Sequence, residues 1–98
     1  MSYTFDMLFK ARQEIFEAWK WYEEQQDGLG ERFEAEVFRK IALITINPLQ
    51  YPLKKRMHEV NTNDFPFLIV YRINKSRKLV MIVSVFHTSR HPKKKYRP

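Results

Sequence analysis

The sequence predicts an α+β domain in the order β-α-α-β-β-β, with a two-helix hairpin laid across a small, largely antiparallel sheet. Two observations carry this. Apolar residues recur at every second position near the N-terminus, at every third or fourth from Ala11 to Ile44, and in strand-like runs beyond Lys54. Both glycines of the chain, Gly28 and Gly30, fall together inside the helical stretch, where one helix must end and another begin. At 98 residues there is room for a single domain, 1–98, whose residues 88–98 read as a basic C-terminal tail.

The elements follow in order. Residues 3–9 alternate Tyr3, Phe5, Met7 and Phe9 against Thr4, Asp6 and Leu8, the pattern of a first strand. From Ala11 the period lengthens, and Ala11, Ile15, Ala18, Trp19, Tyr22 and Gln26 form one helical stripe. Past the two glycines, Leu29, Phe33, Val37, Ile41 and Ile44 repeat the pattern until Asn47-Pro48 stops it. Residues 54–60 alternate Lys54, Arg56, His58 and Val60 against Lys55, Met57 and Glu59, predicting one strand with a wet cationic face. After the turn at 61–64, residues 67–73 are rich in aromatic and β-branched side chains. Residues 79–87 (LVMIVSVFH) are apolar on both faces, which marks a central strand. Seven aromatics (Trp19, Trp21, Tyr22, Phe33, Phe38, Phe67 and Tyr71) are expected mostly in the core, because their spacing already accounts for them.

Charge is divided sharply. Residues 1–52 hold 6 basic and 9 acidic side chains, whereas residues 53–98 hold 12 basic and 2 acidic ones, within a net charge of +7. No carboxylate side chain follows Asp64, so the last third of the chain offers only positive charge to a polyanion. The chain has no cysteine, which excludes disulfides and thiolate metal sites. No apolar run approaches the roughly 20 residues that span a bilayer, so a cytoplasmic protein without membrane contact is expected.

In this order and spacing several strings resemble the RelE/ParE superfamily of toxins from bacterial type II toxin–antitoxin pairs. They are WYEEQ (21–25), GLGERF (28–33), Asn47-Pro48, the basic strand with Arg56, FPFLIVYRI (65–73) and VFHTSRHP (85–92). The resemblance implies a small cytoplasmic protein that arrests growth when free and is held inactive by a cognate antitoxin. Members of the RelE branch cut messenger RNA on the ribosome; those of the ParE branch block DNA gyrase.

Metal-independent RNA cleavage needs a proton acceptor, a proton donor and cations aimed at the phosphoryl oxygens. Arg56 and Arg90 are the candidates to hold phosphate, since a guanidinium pairs two oxygens at once. His87 or a lysine is the candidate proton carrier and Tyr96 a stacking or proton-transfer group. Lys54, Lys55, Lys93, Lys94 and Lys95 are the candidates for backbone contact with nucleic acid. Neither a metal nor another cofactor is expected, because His87-x-x-x-His91 crosses from a strand into a proline-bearing tail. The expected function is thus growth arrest by ribosome-dependent message cleavage, with gyrase inhibition by protein binding as the alternative and a non-toxic nucleic-acid-binding module as the third reading.

Overall fold

The computed structural model describes residues 2–89. Strand β1 (Thr4–Met7) leads through Leu8 into α1 (Phe9–Gln25), and α2 (Leu29–Ile46) returns antiparallel to it. A single 3-10 turn (Pro48–Gln50) then precedes β2 (Leu53–Lys54), β3 (Met57–Asn61), β4 (Phe67–Asn74) and β5 (Leu79–His87). The sheet order is β1-β5-β4-β3-β2, with β1 parallel to β5 and every other pair antiparallel. Residues 79–87 therefore form an inner strand, flanked by β1 and β4, as their apolar composition predicts.

The helical hairpin depends on its two glycines for different reasons. Gly28 sits at φ 85°, in the left-handed region that a side chain disfavours. At Gly30 a Cβ would lie 2.6 Å from the Trp19 carbonyl oxygen, so only glycine allows α2 to start this close to α1. Glu23 closes the junction, accepting hydrogen bonds from the Gly28 N–H at 2.8 Å and the Gly30 N–H at 2.9 Å. A carboxylate there also faces the positive end of the α2 dipole.

One face of the sheet packs under the hairpin. Ala11, Ile15 and Ala18 of α1 and Phe33, Val37, Ile41 and Ile44 of α2 meet Ile69, Tyr71, Val80, Ile82 and Val85, all buried. Phe33 lies 4.8 Å from Phe67 and 5.5 Å from Phe65 between ring centres, and Tyr22 closes the cluster 5.0 Å from Phe65. Glu36, buried on α2, accepts the Asp64 N–H at 2.8 Å and fixes the turn between β3 and β4 to the hairpin.

One sequence expectation needs correction here. Residues 54–60 are not a single strand. The chain reverses at Lys55 and Arg56, which take φ of 50° and 67°, so that Leu53 pairs with His58 and Lys54 with Met57. Positive φ at both central residues of a two-residue loop is the type I′ geometry, whose twist matches that of paired strands. The expected alternating cationic face is lost with it, because His58, Glu59 and Val60 are buried.

Candidate functional site

The cations of the middle of the chain gather at the tip of the β2–β3 hairpin. Lys54, Lys55 and Arg56 are all exposed there, beside Leu53, which is also exposed. Two left-handed non-glycine residues cost about 1–2 kcal/mol each, so the surroundings must hold the turn in place. They do so from below. The Glu59 N–H donates to the Pro52 carbonyl at 3.1 Å, and His58 Nδ1 lies 2.8 Å from the Tyr51 carbonyl. His58 also stacks on Tyr71, with ring centres 5.0 Å apart and planes 11° from parallel. The Tyr71 hydroxyl in turn donates to the Pro48 carbonyl at 2.5 Å. Burial pushes that hydroxyl well above its usual pKa, with a smaller contribution from Tyr51. His58 and Tyr71 thus belong to the support of the hairpin.

His87 occupies a different region. It ends β5, is half-buried, and meets Phe67 edge to face at 5.2 Å. Its Nδ1 accepts the Ser89 N–H at 3.2 Å and lies 3.1 Å from the Ser89 hydroxyl oxygen. A ring nitrogen that accepts from a backbone N–H carries no proton, which leaves Nε2 to hold the proton of the neutral ring. A cleft of about 300 Å³ opens beside it, bordered by Glu14, Glu17 and Trp21 of α1.

Glu14 explains how that end of β5 is covered. The ladder between β1 and β5 stops at Met7 and Ile82, and on that side the β5 edge beyond it has no strand partner among the described residues. Glu14 Oε1 accepts the Val85 N–H at 3.1 Å and the Ser84 hydroxyl at 2.8 Å. Burial raises the Glu14 pKa above its ordinary value; the bonds from Ser84 and Val85 act in the opposite direction. Sequence reading missed Glu14, since nothing local distinguishes it from the other acids of α1.

The register does not bring Arg56 and His87 together. His58, Tyr71 and Ile82 are level across β3, β4 and β5, and β3 runs parallel to β5. Arg56 lies two residues before that level and His87 five beyond it. At about 3.3 Å per residue and about 4.8 Å per strand, their backbones are roughly 25 Å apart. No single phosphodiester is gripped by both side chains. The remaining candidates (Arg90, Tyr96, Lys93, Lys94 and Lys95) lie outside the described residues, and so does His91.

Of the seven aromatics expected mostly in the core, Phe33, Phe67 and Tyr71 are buried, while Trp21 and Phe38 are exposed. Among the described residues no group of three His, Asp or Glu side chains is arranged to hold a metal ion, and no helix is long and apolar enough to cross a membrane.

Comparison with known proteins gives concordant results. The model of the family described as the ParE toxin of type II toxin–antitoxin systems, parDE, matches residues 9–92. No curated protein matches the sequence at a significant level. Among solved structures, the chromosomal ParDE toxin–antitoxin system of P. aeruginosa superposes with a TM-score of 0.77 at 10% identity, covering 90% of this chain and 98% of that one. The intact E. coli RelBE complex gives 0.66 at 16% identity, with 91% and 100% covered. The RelBE2 complex of Mycobacterium tuberculosis gives 0.64 at 18%, with 89% and 92% covered. At such identities the structural likeness speaks for the fold alone.

Proposed function

The chain belongs to the ParE toxin family of type II toxin–antitoxin systems, and on that premise we propose that it arrests growth by binding DNA gyrase, as the ParE branch does, rather than by cutting message. A cognate antitoxin holds it inactive. The observation that carries this reading is the separation of Arg56 from His87 by the β3–β4–β5 register. Message cleavage through these two residues requires a cation and a proton carrier within hydrogen-bond reach of one phosphate. Inhibition by docking requires no proton transfer, only a surface of the right shape and charge.

The exposed cations at the hairpin tip, Lys54, Lys55 and Arg56, suit such a surface. Their approach to an acidic target is expected to be salt-sensitive. A supercoiling assay with purified gyrase tests the proposal. The protein is expected to inhibit supercoiling, less strongly as salt rises, and the triple variant Lys54→Glu/Lys55→Glu/Arg56→Glu should require at least tenfold more protein. In induced cells the 5′ ends of messages should be unchanged. Unimpeded supercoiling together with cleaved messages on the ribosome would reverse the assignment.

A further inference from the structure

The cleft of about 300 Å³ between α1 and the end of β5 carries a chemistry that the cationic hairpin does not use. One wall is a single stripe of α1: Glu14, Glu17 and Trp21, at i, i+3 and i+7, span about 10 Å of helix. Phe67 and His87 border it from β4 and β5. Trp21 is 51% exposed, although an indole of this size is usually covered, and it stands edge to face against Tyr22 at 5.2 Å. An open aromatic surface therefore lies beside two carboxylates.

The charge of Glu14 is not explained by its structural part. Covering the β5 edge takes one acceptor oxygen for the Val85 N–H and the Ser84 hydroxyl, and both bonds fall on Oε1. The amide oxygen of a glutamine would accept them equally. Burial disfavours the carboxylate most, and the neighbouring Glu17 adds to that penalty; the bonds from Ser84 and Val85 and the charge of Lys10 act the other way. An acid kept where burial and a second acid both penalise it, on the wall of a cleft, is the pattern of a binding site. Glu17 forms no hydrogen bond or ion pair with another described residue. Among the described residues that line the cleft there is no Lys or Arg to match the two carboxylates.

We infer that this cleft binds a guanidinium group, stacked on Trp21 and paired with the carboxylates of Glu14 and Glu17. Planarity decides the class of cation. A guanidinium lies flat on an indole, presents paired N–H groups to a carboxylate and is weakly hydrated, whereas an ammonium is a compact, strongly hydrated point charge. The same group is found on free arginine derivatives and on arginine side chains of polypeptides. The inference goes beyond the gyrase reading and does not depend on it.

Titration of the isotope-labelled full chain with ethylguanidinium, followed by two-dimensional NMR, tests the site. Saturable shifts are expected for the Trp21 indole N–H and the backbone amides of Glu17 and Val85, with a Kd in the millimolar range, while the Trp19 indole stays in place. Ethylammonium should bind about tenfold more weakly or worse. Glu14→Gln, Glu17→Gln and Trp21→Ala should each weaken binding about fivefold or more, with the resonances of α2 and β3 unchanged as the sign of a retained fold. Agmatine and a blocked Gly-Arg-Gly peptide then separate the sources. Tighter binding of the first assigns a free metabolite and tighter binding of the second an arginine side chain; either ranking, or equal affinity, supports the guanidinium site. The proposal is overturned if ethylammonium binds as tightly, if the shifts centre on Glu31 and Glu34 instead, if affinity is indifferent to all three substitutions, or if no saturable shift occurs. Lys54→Glu/Lys55→Glu/Arg56→Glu should bind ethylguanidinium as the wild type does, so failure of the gyrase reading and failure of this one are told apart.

Discussion

Replacing Tyr71 by Phe probes the support of the cationic hairpin with one atom. The hydroxyl is fully buried and its hydrogen bond to the Pro48 carbonyl ties the loop before β2 to the sheet. Phe keeps the ring against His58 but leaves the buried Pro48 carbonyl without that donor. A loss of about 1–3 kcal/mol in unfolding free energy is expected at pH 8. The pH dependence supplies a second and independent reading. Because the folded-state pKa of Tyr71 lies above the ordinary 10.0, the native state keeps this proton where the unfolded chain releases it. Stability contributed by the neutral hydroxyl is therefore complete below pH 10 and declines as pH rises toward the folded value. The decline has a limiting slope of about 1.4 kcal/mol per pH unit. Tyr71→Phe lacks this decline, so the gap between the two proteins should narrow above pH 10. Urea unfolding at pH 8, 10 and 11, with unchanged m-values, measures it. A gap below about 0.5 kcal/mol at pH 8, or one that stays constant to pH 11, would refute the reasoning.

Four further outcomes are expected. Glu23→Ala removes the acceptor for two backbone N–H groups at the start of α2 and should cost about 2 kcal/mol in urea unfolding; a change under 0.5 kcal/mol would mean that water replaces it. Gly30→Ala forces a methyl group to 2.6 Å from the Trp19 carbonyl oxygen and should lower stability by about 1–3 kcal/mol, read as a drop in the urea midpoint. Glu14 has a raised folded-state pKa, so its contribution is complete below about pH 4.5 and lost as pH rises through the folded value. Relative to the wild type, Glu14→Gln should gain stability between pH 4 and pH 7; midpoints differing by a fixed amount across that range would contradict this. Finally, Arg56→Ala and His87→Ala act on regions roughly 25 Å apart, so their effects on the concentration that half-inhibits gyrase should combine additively within about 0.5 kcal/mol. Strong coupling in that cycle would indicate one shared site.

The elements that the sequence made legible are those whose signal is local. Residues 79–87 carry an uninterrupted apolar run, and β5 spans Leu79–His87. The helical stripes and paired glycines likewise place α1, α2 and their junction. The β2–β3 reversal was hidden because the turn is built from Lys55 and Arg56 instead of the Asn-Gly or Gly-Gly pairs that usually take positive φ. What keeps those two residues there is nonlocal, involving Pro48, Tyr51 and Tyr71. The working acids were hidden for the same reason. Glu14, Glu23 and Glu36 look like ordinary polar-face residues, yet they accept N–H groups from Val85, Gly28 with Gly30, and Asp64. Of the candidate site, the exposed cations were readable from composition. The distance between Arg56 and His87 was not, since it follows from strand order and register.

The hairpin tip has a second physical role that bears on how its charges should be read. β2 is a two-residue strand at the sheet edge, where lysine and arginine discourage a further strand from pairing. Edge protection needs charge but is indifferent to its sign, whereas docking to an acidic surface depends on the sign. The triple glutamate variant separates the two roles, because it retains a short, charged edge while reversing the electrostatic attraction. A soluble, folded variant that no longer inhibits gyrase assigns the cations to recognition as well as to edge protection.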